Sequence, residues 1–128
     1  MRQAADALLS VCAFVVLFSV VTGLAERAGY LAALAGALSE RTGLELTAAR
    51  ALLVGLLEIG GGIGAMEGLA LTPGNLALCA FLLSFGGLAV WCQTMAVLAE
   101  SDLTGRRYLP GKLLQGVLAA VLILLFTA

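Results

Sequence analysis

Residues 75–99 (NLALCAFLLSFGGLAVWCQTMAVLA) carry no charge and hold two adjacent glycines near their centre. At about 1.5 Å rise per helical residue the run is long enough to cross roughly 30 Å of hydrocarbon. Ser84-Phe85-Gly86-Gly87 in its middle predicts a helix broken there. In lipid each unpaired backbone group costs several kcal/mol, so such a break persists only where it lines a protein-enclosed polar space or is packed by neighbouring helices. A half-helix restarting near Leu88 would aim free N–H groups and the positive end of its dipole at residues 84–87, with Gln93 and Thr94 in the next two turns. Read that way, the break is a site. Read the other way, a glycine pair lets two helices pack closely with no ligand at all.

Composition agrees with a membrane setting. The chain is 62% apolar and 12% charged over 128 residues, against about 25% charged in soluble domains. One domain spanning residues 1–128 is expected at this length. A net charge of −1 and the lack of histidine leave no basic nucleic-acid footprint and no histidine metal site or proton relay. Cys12, Cys79 and Cys92 fall inside apolar runs at no metal-ligand spacing, and read as packing residues. No metal site and no cofactor are expected.

Residues 7–25 are charge-free between Arg2 and Asp6 on one side and Glu26-Arg27 on the other, the length and punctuation of a first transmembrane helix. No small-x-small cleavage pattern follows, so the segment reads as retained. Residues 29–38 are apolar but too short to cross and suit an interfacial helix with Tyr30 at its start; residues 39–45 (SERTGLE) read as a wet loop.

Residues 46–72 read as a re-entrant hairpin. Thr47 is a plausible N-cap for the first arm, with Arg50 able to snorkel to the headgroups. Gly60-Gly61-Gly62, each costing about 1 kcal/mol relative to alanine in a helix, predict the tip. A second arm over residues 63–71 stops at Thr72-Pro73-Gly74. Glu58 sits beside that tip, and an ionisable residue at membrane depth is by default a functional-site candidate. A shallow hairpin with a hydrated Glu58 is the plain alternative, and Glu67 reads as solvent-facing. Residues 75–100 form the broken helix and residues 100–108 a polar loop. Residues 110–128 make a last span that opens at Pro110, with Gln115 expected to face protein.

Counting Lys and Arg separates two topologies. If residues 47–71 crossed the membrane, Arg2 would stand alone against the other six cations, a decisive bias. If they form a hairpin, Arg2, Arg106, Arg107 and Lys112 face Arg27, Arg41 and Arg50, four against three. Orientation is then barely specified, as in a protein inserted both ways to form an antiparallel homodimer.

Three stretches carry a family resemblance: Gly55-Leu56-Leu57-Glu58-Ile59, residues 80–88 (AFLLSFGGL) with Gln93 following, and Gly111-Lys112-Leu113-Leu114-Gln115. From about residue 46 onward the chain resembles the C-terminal part of the YlbJ-type sporulation integral membrane proteins, within the group carrying the nucleoside recognition, or Gate, domain. More distantly it is similar to the second half of concentrative nucleoside transporters, whose hairpin-tip glutamate is best matched by Glu58. Their Asn-Phe-Ser-Ser run falls on Ser84, Phe85, Gly86 and Gly87; here the amide and a ribose-binding hydroxyl are missing.

The resemblance implies an all-α membrane protein, one half of an inverted-repeat transporter-like fold in a bacterial inner membrane. It implies a site for a small polar solute built from Glu58, Ser84, Gly86, Gly87, Gln93 and Thr94. The second half would come from another copy, or from a separate half-subunit. No enzymatic chemistry is implied: Glu58 and Glu67 across a glycine tip have no evident mutual geometry. A non-transporting, sporulation-associated scaffold is the alternative from another class.

Overall fold

The computed structural model describes residues 2–101 and 104–128; Asp102 and Leu103 of the polar loop lie outside the described residues. The described residues are helices and short connections, with no strand. Long aliphatic runs give three helices of membrane-crossing length: α1 (Arg2–Arg27), a bent span made of α5 (Pro73–Phe85) and α6 (Gly87–Leu98), and α7 (Tyr108–Thr127) preceded by a 3-10 turn at Gly105–Arg107. Between the first and second lie α2 (Tyr30–Thr42), α3 (Leu46–Leu57) and the short α4 (Ile59–Gly64).

The break in the second span comes where the glycine pair stands. Gly86 (φ 84°) ends α5 in the left-handed conformation, donating its N–H to the Leu82 carbonyl at 2.9 Å, and Gly87, the first residue of α6, also has a positive φ (82°). Only glycine takes up such a φ without steric cost, so two in succession turn the chain where leucine or alanine would have continued the helix. At the other end, Thr72 accepts the Asn75 N–H at 3.2 Å and Pro73 opens α5, which makes the Thr-Pro-Gly stop a helix start.

Three expectations are corrected between α1 and α5. The reversal falls on Glu58, whose backbone is extended (φ −146°, ψ 124°), and Gly60, Gly61 and Gly62 lie inside α4. The glycines remain helical because their lack of side chains is used in packing: a Cβ on Gly62 would stand 2.2 Å from the Gly55 Cα and 3.2 Å from the Ala51 carbonyl oxygen. The second arm stops at Gly64, and a turn containing Gly68 (φ 83°) leads to α5. Residues 39–42, expected in a loop, instead continue α2 until Gly43 (φ 72°) caps it.

α3 is the centre of the packing. Its Ala48, Ala49, Ala51, Val54 and Gly55 are buried, and the fully buried Leu82 of α5 fills the space over Gly55. α7 lies antiparallel to α5, with Gly116 against Phe81 and Lys112 level with Ser84. Gly87 and Gly116, both suited to a contact between copies, are thus taken up within one protomer. Gln115 is exposed on α7, whose apolar face, like that of α1, is left uncovered: only Thr22 is buried on α1 and only Gly116 on α7. Such faces suit lipid or a second copy of the chain.

Candidate functional site

The two helix interruptions meet. A Cβ on Gly87 would lie 3.0 Å from the Gly55 carbonyl oxygen and 3.3 Å from both the Leu57 carbonyl oxygen and the Ile59 nitrogen. The break of the bent span, with thirteen residues of helix before it and twelve after, therefore packs directly on the turn between α3 and α4.

Glu58 is the charged residue at that turn, 8% exposed. Its Oε1 accepts the Gly60 N–H at 2.6 Å and its Oε2 accepts the Gly61 N–H at 2.7 Å. The carboxylate thus caps α4, satisfying two donors that a helix start leaves open. Neither bond brings a cation. The ion pair among the described residues is formed elsewhere, by Arg50 and Glu26.

A cavity of about 420 Å³ opens beside Glu58, between α1, α3 and α4. Ser19, Thr22, Glu26, Arg50 and Glu58 supply its polar lining and Val54 an apolar patch. Arg50 donates from both Nε, at 3.0 Å, and Nη2 to the same Glu26 oxygen, Oε1. With side chains 52% and 36% exposed, this pair forms the wet rim; Glu58 and Thr22, 8% and 9% exposed, lie in the protected part. Exposed Gln3, Asp6 and Glu100 and half-buried Ser10 line a second cavity, of about 390 Å³, at the opposite end of α1.

Of the sequence-predicted residues, Glu58 and the Gly86-Gly87 pair come together around the crossing of the two interruptions. Ser84, Gly86, Gly87, Gln93 and Thr94 do not line the cavity that Glu58 lines. The Ser84 carbonyl accepts from Lys112 Nζ at 3.4 Å, which sets a positive charge at the C-terminal end of α5. Thr94 donates to the Val90 carbonyl of its own helix at 2.9 Å, and Gln93 is half-buried on α6. Among the described residues no cluster of His, Cys, Asp or Glu is fit to hold a metal ion.

Sequence reasoning missed the contribution of α1. Ser19, Thr22 and Glu26 stand at i, i+3 and i+7, one face of a helix, and that polar stripe in an otherwise aliphatic span was a readable signal. No family model, curated protein or solved structure matches this chain.

Proposed function

We propose that the chain is one half of a Gate-type, transporter-like membrane unit that pairs with a second half, in the first instance another copy of itself, to move a small polar solute across a bacterial inner membrane. The observation that supports this most is the crossing of the two helix interruptions, with the Glu58 turn seated on the Gly86-Gly87 break. Backbone is interrupted within membrane-crossing helices at a cost, and transporter sites are a recurrent place where that cost is met by function. The crossing lies about halfway along the bent span, beside a polar-lined cavity. In this reading α3 and α4 form a hairpin that enters and leaves on one side of the membrane, and the uncovered faces of α1 and α7 meet lipid and the partner half.

The reading is tested by flux. The full chain reconstituted in liposomes is expected to equilibrate a small polar solute down its gradient, and Glu58→Gln is expected to change that rate while insertion and dimer formation persist. Insertion and dimerisation with no flux of any solute in a broad panel would favour the scaffold reading.

A further inference from the structure

We propose that a second copy of the chain docks on one stripe of α7, formed by Gly111, Gln115, Leu118 and Leu122, and runs antiparallel to the first, with the two Gln115 amides bonded to each other at the two-fold axis. This rests on the pairing of copies in the reading above and adds the face and the direction. The outward face of α1 is left to lipid.

Gln115 is exposed, and among the described residues no hydrogen bond engages its amide. Depth makes that exposure costly. Gln115 stands one residue from the centre of the apolar span Gly105–Thr127. Its neighbours on α7 give the same level: Lys112 reaches the Ser84 carbonyl and Gly116 lies against Phe81, both just before the break that halves the bent span. Each headgroup layer is then about 15 Å away, beyond the snorkelling that brings lysine and arginine at helix ends to the interface. An amide left in hydrocarbon forfeits its hydrogen bonds, so a protein group is needed to cover it. A carboxamide carries donors and an acceptor together, so two copies related by a two-fold axis satisfy each other. An axis lying in the membrane plane can pair a residue with itself only at mid-depth, which is where Gln115 stands.

The surroundings of Gln115 fit such a partner. Gly111, Gln115, Leu118 and Leu122 recur at alternate spacings of four and three, one face of a helix and the seam by which two helices pack. All four are exposed, and a Cβ on Gly111 would meet nothing within 4 Å, whereas Gly116 on the inward face is taken up by Phe81. With Gln115 on the axis, Leu118 of one copy comes level with Gly111 of the other and fills the space left there. Charge sets the direction. Arg106, Arg107 and Lys112 all precede Gln115, and residues 113–128 carry no charge. Parallel copies would crowd these cations together. Inverted copies set Arg106 and Arg107 of each beside the last turn of the other's α7, which holds no basic residue and presents the negative end of the helix dipole. The outward face of α1, aliphatic at Leu9, Val16, Leu17 and Val20, presents no such amide and needs only lipid.

The test uses the full chain in liposomes, with Cys12, Cys79 and Cys92 replaced by alanine and copper phenanthroline as the oxidant. Gly111→Cys combined with Leu118→Cys in one chain is expected to form disulfide-linked dimers at least about fivefold faster than either substitution alone, because in antiparallel copies position 111 comes level only with position 118. Single variants that crosslink as fast as the double would show parallel copies and overturn the proposal. Dimers trapped through Cys12 in the unsubstituted chain, with none through positions 111 and 118, would put the interface on α1 and overturn it too. Gln115→Leu, which keeps bulk and removes the amide, is expected to raise the dimer dissociation constant about three- to tenfold in energy-transfer dilution experiments, with the unfolding midpoint of the monomer unchanged, and Gln115→Asn to retain most of the affinity. Wild-type affinity in Gln115→Leu would equally overturn it. Crosslinking is read without transport, so a dimer joined through α7 that moves no solute keeps this inference and loses the transport reading. A chain that transports while only α1 crosslinks does the reverse.

Discussion

Gly62 faces Gly55 across the α3–α4 turn so closely that a Cβ on the former would stand 2.2 Å from the Cα of the latter. The atom met is backbone and cannot swing aside. Gly62→Ala should therefore lower stability by about 1–3 kcal/mol or more, as overpacked cores do. Gly64→Ala, two residues on with nothing within 4 Å, should be neutral or stabilising by up to about 1 kcal/mol through the entropy of glycine alone. Thermal unfolding of both variants in one detergent decides it; equal midpoints would show that the glycines are not used for close packing.

A similar contrast applies at the break. Gly86 and Gly87 share a left-handed φ, so alanine at either carries a conformational penalty of roughly 1–2 kcal/mol. At Gly86 the atoms nearest the added Cβ belong to the Val90 side chain, at an ordinary 3.6 Å, whereas at Gly87 it meets backbone of the α3–α4 turn from 3.0 Å. Gly87→Ala should be the more destabilising of the two. The opposite order in unfolding experiments would mean that the two interruptions do not rest on each other.

Glu58→Gln keeps one carbonyl oxygen but turns an amide nitrogen towards the second backbone donor. One of the Gly60 and Gly61 N–H groups then loses its acceptor, at about 1–3 kcal/mol if it stays buried. Amide hydrogen exchange at Gly60 and Gly61 should quicken while exchange in α7 does not change. Unaltered protection at both glycines would show that the carboxylate does not hold α4 in place.

The Glu26–Arg50 pair joins α1 to α3 but is a third to a half exposed, which limits its worth to about 1 kcal/mol or less after screening. Glu26→Gln should accordingly shift the unfolding midpoint only slightly at low salt and hardly at all in 0.5 M sodium chloride. A large, salt-independent loss would place the pair in a drier setting than its exposure indicates.

These contrasts also explain how far the sequence could be read. The break at Gly86-Gly87 was legible because local chemistry dictates it: a charge-free run of spanning length cannot hold two successive left-handed residues and remain one straight helix. The turn at Glu58 was misplaced by a few residues for the converse reason. Helix propensity counts Gly60 to Gly62 as breakers, and only the approach of Gly62 to Gly55, a tertiary fact, makes their missing side chains an asset. The cavity was not legible at all. Its walls depend on α1 lying beside α3, a pairing of Glu26 with a residue twenty-four positions away that no local pattern announces. Even so, the three-and-four spacing of Ser19, Thr22 and Glu26 marked the face that would be needed.

The arrangement of charges bears on assembly. Arg50 pairs with Glu26 at the end of α1, and α4 folds back along α3, so Arg27 and Arg50 share one end of the molecule and, through the short α2–α3 connection, Arg41 joins them. Of the remaining cations, Arg2 lies at the start of α1 and Arg106 and Arg107 follow Gly105, which packs beside Met95 and Leu98 near the end of α6, so these three share the other end, while Lys112 reaches the Ser84 carbonyl beside the break. Four against three is too even to fix orientation by the rule that cytoplasmic loops carry the excess of Lys and Arg. If the chain is the half-unit proposed above, with its uncovered apolar faces on α1 and α7, it is expected to insert both ways and pair with its inverted copy about a two-fold axis in the membrane plane. Reporter domains fused to the C-terminus should be active on both sides of the membrane in comparable amounts. Adding two lysines beside Arg27 should bias the population to one side and reduce the yield of dimer recovered by crosslinking. Activity on one side only in the unmodified chain would exclude the antiparallel homodimer and point to a separate half-subunit as the partner.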